Sequence, residues 1–218
     1  MTVLRAMLLA AGRGERMRPL TDSVPKPLLE IRGKPLIVYQ LEKLSRLGVR
    51  DVVINLAWLG DRIRLALGDG AQWNLRIQYS EEGSSALETG GGIFKALPLL
   101  GAAPFLVVNA DVFSDFDFAR LHIAPDALAH LLLVSNPPQH PNGDFALQAG
   151  LIQEHGSSRW TYSGFGLFRP ELFEGCRPGK FPLLPLFQRA IREQRLHGQS
   201  YEGLWNDVGT VERLAALQ

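Results

Sequence analysis

The sequence predicts an α/β fold: one domain built on a mostly parallel sheet with helices on both faces. Two observations carry this. The runs DVVINL at 51–56 and FLVVN at 105–109 lack the alternation of half-exposed strands and suit strands buried on both sides. Segments of helical length, opened or closed by Gly and Pro, lie between the strand signals, so strand and helix alternate. With 218 residues and 46% hydrophobic content, the chain can bury a substantial core as a single domain.

The elements follow in order. Residues 3–11 form a short apolar strand ended by Gly12. Residues 35–47 read as a helix: Pro35 suits its first position, Leu36, Tyr39, Leu44 and Leu47 fall near one face, and Gly48 suits the stop. The second strand is 51–56, and a short helix at 61–67 ends at Gly68. Residues 75–80 (LRIQYS) alternate as a strand, and 88–100 opens with ETGGG and turns helical, with Pro98 near its end. Strand 105–109 leads into Ala110-Asp111. Beyond it, 129–135, 144–153 and 160–168 read as strands, and 183–194 as an amphipathic helix. Residues 200–205 lead into Asn206-Asp207-Val208-Gly209-Thr210, where Thr210 can cap a last helix. The segment 136–143 (NPPQHPNG) marks a break between a half spanning 1–135 and a half spanning 136–218, within one domain.

The richest stretch is 8–28, LLAAGRGERMRPLTDSVPKPL. Ala10, Ala11, Gly12 and Gly14 are small enough for a ligand to approach the main chain. Glycine also admits the angles that turn successive N–H groups toward one anion. Arg13, Arg16 and Arg18 add charge that can grip phosphate oxygens in pairs. In Pro25-Lys26-Pro27, Pro27 disfavours helical angles for Lys26, so an extended lysine on a stiff segment is expected. An isolated PKP would be an ordinary surface turn; next to this loop it reads as a phosphate lysine. The Walker pattern is absent, and the dinucleotide fingerprint fails where Met17 replaces its third glycine.

The string G-x-G-x-R-M-x-P-L-T followed by P-K-P-L resembles the sugar-1-phosphate nucleotidyltransferases, over nearly the whole chain. The resemblance implies a Rossmann-like, GT-A-like nucleotidyltransferase architecture. It implies the reaction of a sugar 1-phosphate with a nucleoside triphosphate to give a nucleotide sugar and pyrophosphate. The signature arginine falls on Arg16, implied to hold the triphosphate, and the signature lysine on Lys26, implied to hold the sugar phosphate. Ala11, Gly12, Arg13 and Gly14 are implied to form the nucleotide loop.

Asp111 follows a buried strand, where ligands of open α/β sheets bind. There it can hold Mg²⁺, or act as a turn or cap residue. Asp207, in WNDVGT, reads alone as a turn residue. In the resembled family an aspartate ending the corresponding strand and one in W-x-D-V/I-G-T share the metal, and Asp111 and Asp207 match them. Glu82, Glu88, Thr89, Gly90 and Gly91 fall where relatives border the nucleobase. Glu88 and Gly90 replace the usual glycine and alanine of G-T-A-G. For the sugar the candidates are Asn109, Asp144, Ser163 and Trp205, the last equally readable as core packing. The glutamate-lysine-proline motif of many relatives is missing; IQEHGSSRW stands there.

Many relatives continue into a left-handed β-helix. This chain's ending after WNDVGT and one helix gives the expectation of a short catalytic domain. It resembles most the UTP-using branch that serves cell-wall sugar recycling. The alternatives are mannose 1-phosphate with GTP, or a nucleotide-sugar sensor without turnover; retention of Arg16, Lys26, Asp111 and Asp207 argues against the sensor. The expected partners are UTP and a sugar 1-phosphate. Net charge is +1 with no basic block, which argues against nucleic acid. No apolar run reaches the ~18 residues of a membrane span, and no signal peptide is legible. Cys176 is alone and the five histidines lack ligand spacing, so neither disulfide nor zinc is expected. The expected compartment is the cytoplasm, and a monomer suffices.

Overall fold

The computed structural model describes residues 5–83 and 86–218; Val3 and Leu4 of the expected first strand lie outside them. β1 (Arg5–Leu9) ends before Ala10 and Ala11, which begin the loop. A short helix, α1 (Leu20–Ser23), and a small hairpin, β2 (Glu30–Ile31) and β3 (Lys34–Pro35), precede α2 (Leu36–Leu47). Pro35 stands at the N-cap of α2, and Gly48, at φ 87°, stops it in the left-handed region. There follow β4 (Asp51–Leu56), α3 (Gly60–Leu67), β5 (Arg76–Glu81), α4 (Glu88–Leu100) and β6 (Phe105–Asn109).

The second half holds β7 (Val112–Ser114), β8 (Ala129–Val134), β9 (Phe145–Gln148), β10 (Leu151–Gln153) and β11 (Arg159–Phe168). It ends with α5 (Leu184–Arg192), β12 (Leu196–Tyr201), β13 (Trp205–Asp207) and α6 (Val211–Ala215). Thr210 caps α6, its hydroxyl accepting from the Arg213 amide.

Among the described residues, nine strands form one sheet in the order β5-β4-β1-β6-β11-β8-β12-β10-β9. The block β5-β4-β1-β6 is parallel, as expected. Beyond it the sheet is mixed: β11 runs antiparallel to β6, β8 and β9, while β12 is parallel to β8. The reason is connectivity. No helix of crossover length separates β8, β9, β10 and β11, and parallel neighbours need such a crossover.

The expected strand at 144–153 is a hairpin. Ala149 and Gly150 both have positive φ, 50° and 82°, which turns the chain between β9 and β10. β12 begins earlier than expected, because His197, Gly198, Gln199 and Ser200 hide its strand character.

Strand alternation divides the core. Ala6, Leu8, Val52, Ile54, Leu106 and Val108 face one side, against Ile37, Leu41 and Leu44 of α2 and Ile63 and Leu67 of α3. Met7, Val53 and Val107 face the other, against Ile93, Ala96 and Leu100 of α4 and Phe187, Ala190 and Ile191 of α5. A third cluster joins Met17, Leu29, Ile31 and Leu36 to Val208 and Leu214. It fastens the loop after β1 to the last segment of the chain. No helix among the described residues is long and apolar enough to cross a membrane.

Candidate active site

A cleft of about 220 Å³ opens beyond the carboxyl ends of β1, β4 and β6. Its walls include Ala10, Ala11, Gly12, Lys26, Asn55, Glu82, Glu88, Thr89, Asn109 and Asp111. The loop after β1 forms one wall. Gly14, at φ 67°, leaves no room for a side chain: a Cβ would lie 3.0 Å from Thr21 Cγ2 and 3.2 Å from Lys26 Cβ. The Thr21 hydroxyl donates to the Gly14 carbonyl at 2.9 Å, which locks the stack. Lys26 is thereby carried into the cleft with only 8% of its surface exposed.

Lys26 is not extended, contrary to the expectation from Pro27. It heads a 3-10 turn, Lys26–Leu28, closed by bonds from Leu28 N to Pro25 O (2.8 Å) and Leu29 N to Lys26 O (3.1 Å). Two backbone bonds outweigh the steric bias of the following proline. Pro25 is the extended residue, at ψ 139°.

The loop arginines divide. Arg13 is committed to the scaffold: it donates to Thr21 O (2.8 Å) and Asp22 (2.6 Å) and lies 3.8 Å over the Trp58 ring. Arg18 reaches the same Asp22 oxygen at 2.9 Å. The Arg13 hydrogen bond, helped by Arg18, holds the Asp22 carboxyl below its ordinary range. Arg16 instead reaches toward the C-terminal segment. The space a Gly209 Cβ would fill is bounded by Arg16 Nη2 at 3.0 Å, by Asp207 Oδ1 at 3.1 Å and by the Arg213 guanidinium. Gly209 is therefore small so that these charges can meet.

The backbone segments that carry the two aspartates lie side by side. β13 pairs antiparallel with β7, placing Asp207 opposite Val112, and Val208 N donates to Asp111 O at 3.1 Å. Lys26 Nζ pairs with Asp111, and Arg213 Nη1 with Asp207 at 2.8 Å. Among the described residues no group of three or more His, Cys, Asp and Glu side chains is poised for a metal. A hard carboxylate just before β7 and one in β13 are donors of the kind that fits Mg²⁺, which takes few protein ligands and completes its shell from phosphate and water.

The expected base-side residues separate into two kinds. Glu88, at φ 60°, and Thr89 line the cleft. Glu82 is buried at 7% exposure and serves the scaffold: one oxygen accepts from Asn55 Nδ2 (2.7 Å), the other from Leu87 N (2.6 Å). Asn55 Oδ1 in turn accepts from Ala10 N at 2.8 Å. This buried relay ties the loop after β1 to the entry of α4. Asn55 was not singled out from sequence; the only signal is a polar residue inside the apolar run DVVINL.

Gly90 and Gly91 do not line the cleft. A Cβ on Gly90 would meet the Phe181 ring at 2.6 Å and Pro182 O at 2.8 Å, and one on Gly91 would strike the Gly179 carbonyl. The glycines admit the chain at 179–182, which Gly91 N holds through Phe181 O at 3.0 Å.

Of the sugar candidates, Asn109 lines the cleft. Trp205 lines an adjoining hollow of about 460 Å³ with Asn136, Tyr201, Asp207 and Arg213, while its Nε1 donates to Ser163 O at 3.0 Å. Asp144 and Ser163 are turned to internal tasks. Asp144 accepts from Tyr162 N (2.7 Å) and bonds His140 (2.9 Å). The Ser163 hydroxyl, 1% exposed, accepts from Phe165 N across an irregularity in β11. Each satisfies backbone that its irregular neighbourhood leaves unpaired.

A cleft at the carboxyl ends of a parallel block, lined by a small-residue loop, one buried lysine and Asp111, stands where α/β enzymes bind their ligands. The family described as Nucleotidyl transferase matches residues 5–146, and the chain belongs to it. The N-acetylmuramate alpha-1-phosphate uridylyltransferase of Neisseria meningitidis serogroup B is 50% identical over 99% of this chain and 97% of its own. The protein of that name from Caulobacter vibrioides is 36% identical over 97% and 94%. A crystal structure titled as a putative glucose-1-phosphate thymidylyltransferase from Bacillus anthracis superposes with a TM-score of 0.84 at 20% identity. It covers 98% of this chain and 93% of that one, which shows the shared fold.

Proposed function

We propose that the protein transfers the uridylyl group of UTP to N-acetylmuramate α-1-phosphate, forming UDP-N-acetylmuramate and pyrophosphate. The observation that supports the chemistry is that Lys26 and Asp111 pair inside one cleft, while Asp207, joined to the Asp111 segment through β13, lies with Arg16 beside Gly209. The choice of base and sugar is supported by the 50% identity along the full chain.

In this reading an oxygen of the sugar 1-phosphate attacks the α-phosphorus of UTP and the bond to the β-phosphate oxygen breaks. A phosphate oxygen is already anionic at neutral pH, so no general base is needed. Lys26 holds the attacking phosphate in line, and Arg16 with the amides near Gly12 steadies the departing pyrophosphate. Asp111 and Asp207 would hold Mg²⁺, which neutralises charge on the transferred phosphoryl group. Glu88 and Thr89 border the nucleoside. Asn109 and Trp205 border the sugar. Residues 1–135 mainly serve the nucleotide and 136–218 the sugar. Its substrate UTP is a cytoplasmic metabolite, so we assign the protein to the cytoplasm.

The test is pyrophosphate release across four nucleoside triphosphates and a panel of sugar 1-phosphates. UTP with N-acetylmuramate α-1-phosphate should lead every other pair by at least ~10-fold in kcat/KM, about 1.4 kcal/mol of discrimination. An equal or higher value for GTP with mannose 1-phosphate would replace this substrate assignment.

A further inference from the structure

The acids of the site stand on a structure with little support of its own. β7 and β13 are three residues each and form a separate two-stranded ribbon outside the nine-stranded sheet. Such a ribbon is marginal unless something packs it. β13 occupies one edge of β7. Along the strand period of two, the carbonyls of Val112, Ser114 and Phe116 fall on a common row.

Helix α2 meets that row with two donors. Gln40 Nε2 donates to Val112 O at 2.5 Å. Lys43 Nζ donates to Ser114 O and, at 3.3 Å, to Phe116 O. The two side chains are three residues apart and share one helix face. Gln40 is fully buried, and Lys43 is half-buried with its ammonium 5.5 Å from the Phe118 ring centroid. An apolar face would press on the ribbon without fixing it lengthwise. Donors at successive carbonyls of one row fix its register as well as its height.

We propose that Gln40 and Lys43 are positioning residues for the metal pair: by seating β7, and β13 through it, they set the spacing of Asp111 and Asp207. Asp111 immediately precedes β7, Asp207 pairs opposite Val112, and Val208 N binds Asp111 O. Neither Gln40 nor Lys43 lines the cleft. The inference rests on the assignment of the divalent ion to Asp111 and Asp207.

The test is Mn²⁺ titration of the purified chain, with free Mn²⁺ read by EPR, on wild type, Lys43→Met, Lys43→Arg, Gln40→Leu and Asp207→Asn. Cooperative thermal melts confirm that each variant is folded. Lys43→Met should weaken Mn²⁺ binding about 10-fold, the lower end for loss of a group that orients metal ligands. Gln40→Leu should act in the same direction, and Lys43→Arg should recover part of the loss. KM for UTP at saturating Mg²⁺ should stay within ~2-fold of wild type, because the effect runs through the metal. If Asp207→Asn abolishes Mn²⁺ binding while Lys43→Met and Gln40→Leu bind like wild type, the positioning role is wrong and the metal assignment stands. If Asp207→Asn binds Mn²⁺ like wild type, the metal assignment falls and takes the positioning role with it.

Discussion

Lys26→Met removes one charge and keeps the aliphatic stem that packs beside Gly14. The Lys26 side chain is only 10% exposed, so its charge acts with little screening by water. A preorganised donor at a reacting centre is worth ~3–4 kcal/mol. At 1.36 kcal/mol per decade, that loss slows turnover by roughly 150- to 900-fold. The competing account gives Lys26 only the task of neutralising Asp111. Lys26 is buried and Asp111 is 27% exposed, so losing the pair costs ~1–3 kcal/mol. In a chain this long that is a melting shift of ~2–12 °C, with no comparable loss of rate. Pyrophosphate release at saturating UTP, with the sugar phosphate varied, separates the two. A variant within ~10-fold of wild-type kcat, melting a few degrees lower, would refute the catalytic assignment of Lys26.

Two further outcomes follow from buried polar groups. Asn55→Leu leaves Ala10 N and one Glu82 oxygen without partners, each costing ~1–3 kcal/mol. Urea unfolding should show a loss of at least ~2 kcal/mol, and a loss below ~0.5 kcal/mol would contradict the relay. Lys43 makes stability depend on pH. Burial pushes its ammonium down from 10.5 to about 8; Asp115 and Asp117 oppose the shift and Arg46 assists it. The folded chain therefore releases this proton at lower pH than the unfolded chain. Between about pH 8 and 10.5 the unfolded state binds more protons, so the Lys43 contribution to stability rises with pH across that window. The stability of wild type relative to Lys43→Met should climb between pH 8 and 10; a flat difference would show that Lys43 titrates alike in both states.

Elements whose own residues determine their state are legible in the sequence. The runs DVVINL and FLVVN are strands because nothing polar interrupts their burial at both faces, Asn55 excepted, and α2 is bounded by Pro35 and Gly48. β12 was partly hidden because its polar surface is compensated by pairing with β8 and β10, which no local pattern records. The hairpin at Ala149-Gly150 was missed because only glycine advertises positive φ, and an alanine shares it here. In the site, Asp111 and Asp207 were visible as motif residues. Their contact depends on a three-residue ribbon too short to announce itself. Asp144 and Ser163 were expected at the sugar because they fall where relatives place sugar contacts, and their hydrogen bonds are internal.

The glycines show where such reading stops. A missing Cβ can admit a ligand or another part of the chain, and the residue is the same in both cases. Gly90 and Gly91 are filled by Phe181, Pro182 and the Gly179 carbonyl, whereas among the described residues, its chain neighbours aside, no atom lies within 4 Å of where a Gly12 Cβ would stand. Gly12 lines the cleft and is not among the residues with positive φ, so alanine is sterically and conformationally admissible there. Substitution should therefore separate the two uses. Gly90→Ala overpacks a buried contact and should cost ~1–3 kcal/mol, lowering the melting temperature by several degrees with the KM for UTP little changed. Gly12→Ala should leave the melting curve in place and raise the KM for UTP at least ~10-fold, because its methyl group intrudes where a phosphate must align. The opposite pattern, a stable Gly90→Ala with impaired UTP binding beside an unaffected Gly12→Ala, would move the nucleotide contact from the loop after β1 to the entry of α4.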